Sequence, residues 1–267
     1  MAFDSDSNEG LACRPGASGQ TSDTDMKQQV HDLHAELERI RWESERLHIG
    51  NYVYERAYEQ TLAFLREHVS LDEVMFFEDR TQHLLYCAKR AHADAGGGLF
   101  LECGVNSGFT VNLIAAAVAP RIVNGFDSFE GLPEDWTGYR FARGAFSRNG
   151  ALPQVAGNVQ LHKGYFDAVL APFLAAQKSD ISFVHMDCDL YSSTRDVLTA
   201  CAPYIRTGTI MVFDEFMNYP GWQQHEFRAL SEFSAGTGWH YRFISLCDWR
   251  DRIVKAGIEF TERSQTT

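Results

Sequence analysis

The sequence predicts an α/β fold: a doubly wound, mostly parallel seven-stranded sheet preceded by a helical extension. Three observations carry this expectation. From Gly98 onward, short apolar runs alternate with longer helix-like segments, as in repeated strand-helix-strand units. The first strand, 98–103, runs into a glycine turn and straight out into the mostly apolar stretch 109–119, so that backbone N–H groups and a helix N-terminus converge at the strand's carboxyl end. Near the chain's end, 240–246 and 252–260 read as two strands joined tightly over 247–251, an antiparallel edge.

In chain order, residues 1–24 are rich in Ser, Asp, Gly and Thr and offer little to bury, so a disordered leader is expected. Residues 25–95 are expected to form a helical extension or lid, and residues 96–267 the main domain. Met26, Val30, Leu33, Leu37, Ile40, Ser44 and Leu47 fall at alternating spacings of four and three, a heptad seam interrupted by the polar Ser44. Two readings stay open for it: an amphipathic helix packed on its own domain, or a short coiled coil pairing two subunits, which would be marginal alone. Segments 52–69 and 71–92 read as two more helices carrying Tyr52, Tyr54, Tyr58, Phe64, Phe76, Phe77 and Tyr86. Most of these aromatics belong in a core, and their place before the first strand suits a roof that keeps water from a pocket.

The pattern continues with strand 121–126, a long loop 127–157, strand 158–162, helix 166–177, strand 181–186, helix 193–204, strand 209–213 and helix 222–233. The loop is longer than a packed domain needs. Its Trp136, Tyr139, Phe141 and Phe146 either wall an acceptor site or anchor the loop.

Composition narrows the partners. The 267 residues suffice for one large α/β domain and an appendage, and 24 Lys+Arg against 36 Asp+Glu give a net charge of −12. Such a surface repels phosphate backbones and anionic lipid, so neither nucleic acid nor membrane is an expected partner. The six cysteines are scattered without a C-x-x-C pair and read as reduced and mostly buried. The acidic start lacks a signal-peptide pattern, and a cytoplasmic protein, homo-oligomeric, is expected.

The glycine turn narrows the ligand. Its spacing, Glu102 to Gly104 to Gly108, is acidic-x-Gly-x-x-x-Gly rather than the G-x-G-x-x-G of dinucleotide sites. A buried carboxylate repels a pyrophosphate but attracts an ammonium or sulfonium, which favours S-adenosylmethionine over NAD. The plainer alternative is an ordinary tight turn that needs glycine for its backbone angles. Asp127 ends the next strand, roughly twenty residues on, where this kind of fold sets a carboxylate on a ribose diol.

The runs 100–104 through Gly108, Gly125-Phe126-Asp127-Ser128-Phe129-Glu130-Gly131-Leu132-Pro133 and Asp187-Cys188-Asp189-Leu190-Tyr191-Ser192-Ser193-Thr194 resemble the macrocin-type O-methyltransferases of antibiotic biosynthesis. The likeness spans about residues 97 to 247. It implies a class I, Rossmann-like methyltransferase that uses S-adenosylmethionine and Mg²⁺ to methylate a hydroxyl of a sugar or related small molecule. The cofactor-binding residues expected from turn and resemblance together are Glu102, Gly104, Asn106, Ser107, Gly108, Asp127, Ser128 and Phe166.

Four acids fall at two further strand ends: Asp187 and Asp189 after 181–186, and Asp214 and Glu215 after 209–213. In an open α/β sheet these ends lie on the ligand side, and so much negative charge in one pocket calls for a bound cation or a shared proton. Hard oxygen donors without a thiolate pair point to Mg²⁺. The resemblance makes Asp187, Asp214 and Glu215 the metal ligands, with Glu215 standing where the family often has aspartate. The alternative is that the acids cap helices or pair with Arg195 or Arg228. The expected proton acceptor is Asp187, with Asp189 and His225 behind it. Other readings are a phenol or amine acceptor, a non-catalytic cofactor-binding subunit, and a nicotinamide oxidoreductase.

Overall fold

A computed structural model describes residues 23–45, 49–93, 97–248 and 252–264. The expected leader, over residues 1–22, the last heptad position Leu47 and the tip of the connection 249–251 lie outside the described residues. The chain divides into two compact units, Met1–Ile49 and Gly50–Thr267. Helix α1 (Asp23–Glu45) belongs to the first and begins inside the expected leader.

The second unit follows in the order α2 (Ile49–His68), β1 (Met75–Phe77), α3 (Arg80–Ala93), β2 (Leu99–Cys103), α4 (Phe109–Val118), β3 (Val123–Asp127) and β4 (Val159–Lys163). Then come α5 (Phe166–Gln177), β5 (Ile181–Met186), α6 (Tyr191–Cys201), β6 (Ile210–Met217), α7 (Glu226–Thr237), β7 (Trp239–Asp248) and β8 (Val254–Arg263). The strands form one sheet of eight, in the order β1-β7-β8-β6-β5-β2-β3-β4, with β8 antiparallel to both neighbours and the other pairs parallel.

The eighth strand corrects the sequence expectation of seven. The segment 71–92 is not one helix: Val74 is extended, Met75–Phe77 pair with Ser245–Cys247, and Asp79 starts a new helix by accepting the Gln82 N–H at 2.8 Å. An aspartate offering its side chain to the third N–H ahead is a helix start, and it interrupts whatever precedes it. A second difference is that β6 runs on to Met217, so Asp214 and Glu215 sit inside the strand, where its pairing with β8 is irregular between Phe213 and Met217. The helix expected over 222–233 opens as a 3₁₀ turn, Trp222–Gln224, before α7 proper.

Helices α3 and α4 cover one face of the sheet, burying Phe100, Ile114, Val118, Phe183 and Ile210. Helices α5, α6 and α7 cover the other, over Leu101, Phe126, Leu170, Val184, Leu198 and Phe213. Each large apolar side chain so buried contributes roughly 1.5–3 kcal/mol. Helix α2 docks through Phe64, whose ring meets Trp222, Phe227 and Phe243 edge-on, while Tyr52, Tyr54 and Tyr58 stay exposed. The five described cysteines are free and buried.

Burial also fixes the charge state of His83 on α3. Its Nε2 lies 2.9 Å from the Ser245 hydroxyl, and burial, against the opposing pull of Asp214, lowers it to about 4. The unfolded chain, with an ordinary imidazole, takes up this proton first as pH falls. The folded state therefore loses stability from about pH 6.5 down to about 4, by up to about 2 kcal/mol at pH 5. Denaturant midpoints at pH 7 and pH 5 should fall further apart for the wild type than for His83→Gln.

Candidate active site

The chain runs from β2 outward through β3 to β4 and returns to β5 on the other side of β2, which opens a crevice at the carboxyl ends of β2 and β5. A cavity of about 800 Å³ occupies it. Gly104 begins the turn with φ +98°, and a Cβ there would run into the carbonyl oxygen of Asp187, so the ends of β2 and β5 meet through a position only glycine fits. Asn106 follows at φ +43° and Gly108 at φ +84°, the latter opening α4.

Asp127 ties the turn down. Its Oδ2 accepts the N–H groups of Val105 (2.9 Å) and Asn106 (2.7 Å), and its Oδ1 that of Phe129 (2.7 Å). Gly104, Asn106, Ser107, Asp127, Ser128 and Phe166 all line the cavity. Gly108 and Glu102 do not. Glu102 is fully buried on the α4 side of β2, where Thr110 donates to its Oε1 and His185 Nδ1 stands 3.7 Å away. Its side chain thus sits beneath the turn, because the β2 pleat turns it to the α4 face.

The acids meet as expected. One carboxylate oxygen from each of Asp187, Asp214 and Glu215 lies within 4.8 Å of the others, and Asp189 joins them at the cavity wall with φ +64°. Burial and the neighbouring Asp214 push Asp187 and Glu215 well above the carboxylate range. Burial likewise pushes Asp189 up to about 7, against the Glu215 side chain beside it. Glu215 Oε2 is buried without a hydrogen-bond partner. A hard cation would satisfy that oxygen and relieve the repulsion, so this donor set fits Mg²⁺.

The alternative roles are taken by other groups. Arg195 pairs with Asp196 at 2.7 Å and Arg228 with Glu232 at 2.8 Å, and the N-cap of α6, Leu190, has no side-chain cap.

His225 does not line the cavity but lies behind Trp136, which does. Its Nε2 lies 2.8 Å from the Thr137 carbonyl and its ring packs on Trp136 and Tyr219, so it anchors the long loop instead. That loop brings Trp136, Tyr139, Phe141 and Phe146 to the cavity wall, and Tyr165 follows beside Phe166. Of the helices before β2, only Arg80 of α3 lines the cavity among the described residues, so the roof expected from 52–92 is not there.

Sequence reasoning missed a row of buried charges beneath the acids. Across β2, β5, β6 and β8 stand Glu102, His185, Asp214 and Lys255, with His185 Nε2 3.9 Å from Asp214 and Lys255 Nζ 3.3 Å from it. Lys255 also donates to the Asp214 carbonyl at 3.0 Å. Burial alone would lower His185, but the carboxylates of Asp214 and Glu102 win and raise it to about 10. Burial would raise Asp214, yet Lys255 and His185 hold it well below the usual range. Signs alternate along the row, so each buried charge is compensated. Behind Glu215, the fully buried Glu226 accepts its N–H at 3.1 Å, and burial pushes the Glu226 carboxyl well above the usual carboxylate range.

Removing one member of this row should be costly. Lys255→Met leaves Asp214 buried beside other acids and is expected to lower stability by about 3 kcal/mol. Arg228→Ala, which breaks a solvent-exposed pair, should barely move the denaturant midpoint.

Strand order, glycine turn and a ligand crevice at the switch point define a class I methyltransferase type of domain. Residues 101–216 match the family model described as a methyltransferase domain. Among solved structures, CalS11, a calicheamicin methyltransferase, aligns over 96% of this chain and 99% of its own at 21% identity and a TM-score of 0.53, which is the same fold. The O-methyltransferase NovP aligns over 68% of this chain and 80% of its own at 23% identity and a TM-score of 0.48. TomG, an O-methyltransferase from Streptomyces achromogenes, aligns over 78% and 99% at 15% identity and a TM-score of 0.45. No curated protein sequence matches the chain. The chain carries an S-adenosylmethionine-dependent methyltransferase domain, and it is an enzyme of that class.

Proposed function

We propose that this methyltransferase is Mg²⁺-dependent and methylates a hydroxyl, of a sugar or glycosylated natural product. The observation that carries the reading is the set Asp187, Asp214 and Glu215, whose oxygens lie within 4.8 Å of one another in the same cavity as the glycine turn. About 800 Å³ is near the top of the range of roughly 300–1,000 Å³ for small-molecule sites, which leaves room for an acceptor beside the cofactor. The sugar acceptor rests on the resemblance of the 125–133 and 187–194 runs to macrocin-type enzymes.

When bound, S-adenosylmethionine supplies an electrophilic methyl group and Mg²⁺ a Lewis acid that acidifies a coordinated hydroxyl. The chain's own residues do the rest. Gly104, Asn106 and Ser107 shape the cofactor side of the cavity, with Asp127 holding the turn and offering its spare lone pairs. A cation held among these acids would counter the burial and repulsion that raise Asp187 and leave it ionised, so that it could accept the acceptor's proton at a carboxylate oxygen, with Asp189, pushed up to about 7, next in line. Lys255 and His185 keep Asp214 ionised. Trp136, Tyr139, Phe141 and Phe146 hold the acceptor and exclude water.

The four aromatic side chains also favour a second reading, a planar phenolic acceptor stacked between them. Transfer of an isotope-labelled methyl group to a panel of glycosides, phenols and amines, with Mg²⁺ and with EDTA, separates the two. Labelling of glycoside hydroxyls that EDTA abolishes is the expected result. Labelling of phenols alone would replace the sugar reading, and EDTA-resistant labelling would remove the metal from it.

A further inference from the structure

We propose that α1 is a dimerisation element that forms a parallel, in-register coiled coil with α1 of a second copy of this chain. This inference is independent of the acceptor and metal readings. The helix is 23 residues long, roughly 34 Å or three heptads. Along one side it exposes Met26 by 52%, Val30 by 54%, Leu33 by 64%, Leu37 by 60% and Ile40 by 51%. Single exposed apolar residues need no explanation, but five in a row at alternating spacings of four and three form a seam.

The spacing fixes the register. Val30 and Leu37 are a positions, and Met26, Leu33 and Ile40 are d positions; Val30 with Leu33 is the combination that suits two strands and Leu37 with Ile40 the one that suits more, so the seam sets the register and sedimentation reads the strand number. The flanking e positions are then Lys27, His34 and Arg41, all basic in type, and the g positions Gln29 and Glu36 are polar and acidic.

Charge decides the orientation. In a parallel pair each g position meets the e position of the partner's next heptad, which sets Glu36 against the partner's Arg41, and does so twice by symmetry. An antiparallel pair on the same seam sets Glu36 against the partner's Glu36 and Lys27 against the partner's Arg41, like against like. Within its own helix Glu36 pairs with Arg39 at 2.6 Å, a solvent-exposed contact that costs little to exchange.

Sedimentation velocity of the full chain across a hundredfold range of micromolar concentration tests this. The wild type should pass from monomer to dimer, and Leu37→Glu should remain monomeric with the thermal melt of the main domain unchanged. Glu36→Lys and Arg41→Glu should each weaken the dimer about tenfold. An equimolar mixture of those two variants should pair as tightly as the wild type, because both cross-pairs are then of opposite sign. A wild type that stays monomeric, or a dimer untouched by Leu37→Glu, overturns the proposal. An Arg41→Glu variant that pairs more tightly than wild type overturns the parallel orientation, since that gain belongs to the antiparallel pair.

Discussion

Asp187→Asn should lower methyl transfer by at least about a thousandfold while leaving the affinity for S-adenosylhomocysteine within a few-fold of wild type. Two losses coincide in this substitution. The amide cannot take up a proton, and it replaces one of the three clustered carboxylates by a neutral donor. The cofactor side of the cavity is built from the backbone of 104–108 and from Asp127, which the substitution leaves in place. Asp189→Asn should cost less, because Asp189 is not one of the three acids that converge within 4.8 Å. Turnover by Asp187→Asn at the wild-type rate would remove Asp187 from both roles.

Gly104→Ala should damage both stability and cofactor binding. Its φ of +98° disfavours any side chain, and the new methyl group would meet the backbone of Asp187. The neighbour cannot rotate away, because Asp187 N donates to the Cys103 carbonyl at 2.9 Å and Gly104 N to that of Phe126 at 2.9 Å. Strain and overpacking together should cost about 3–5 kcal/mol, with S-adenosylhomocysteine binding lost alongside. Gly157→Ala, where a Cβ meets nothing within 4 Å, is the matched control and should be neutral or slightly stabilising. A Gly104→Ala protein as stable and as tight-binding as wild type would show that the two strand ends need not touch.

The parts legible in the sequence were those written locally. The apolar runs of β2, β3 and β5 announce themselves because both faces of these strands are buried, and the glycine turn shows because its backbone leaves no room for side chains. The convergence of Asp187, Asp214 and Glu215 follows from the rule that parallel strands end on one side. Strand β1 was hidden because three residues are too few to break a helical pattern, and only its pairing with β7 makes it a strand.

Lys255 was hidden for a different reason. It sits in a run that reads as an edge strand, and nothing nearby marks it as the counter-ion of a residue 41 positions earlier. Glu102 and His225 show the converse: residue type and position suggested ligand contact and catalysis, but neither lines the cavity, Glu102 accepting from Thr110 and His225 Nε2 lying against the Thr137 carbonyl. Local pattern identifies which groups are available; long-range register decides which of them face the cavity.

Calorimetric titration of S-adenosylhomocysteine into the EDTA-treated protein, repeated with Mg²⁺ and with NAD⁺ in its place, tests the central claim most directly. One site per chain for S-adenosylhomocysteine, no heat with NAD⁺, and Mg²⁺ binding that Asp214→Asn abolishes are the predicted results. Binding of NAD⁺ in preference to S-adenosylhomocysteine, or silence from both, would contradict the assignment of this cavity.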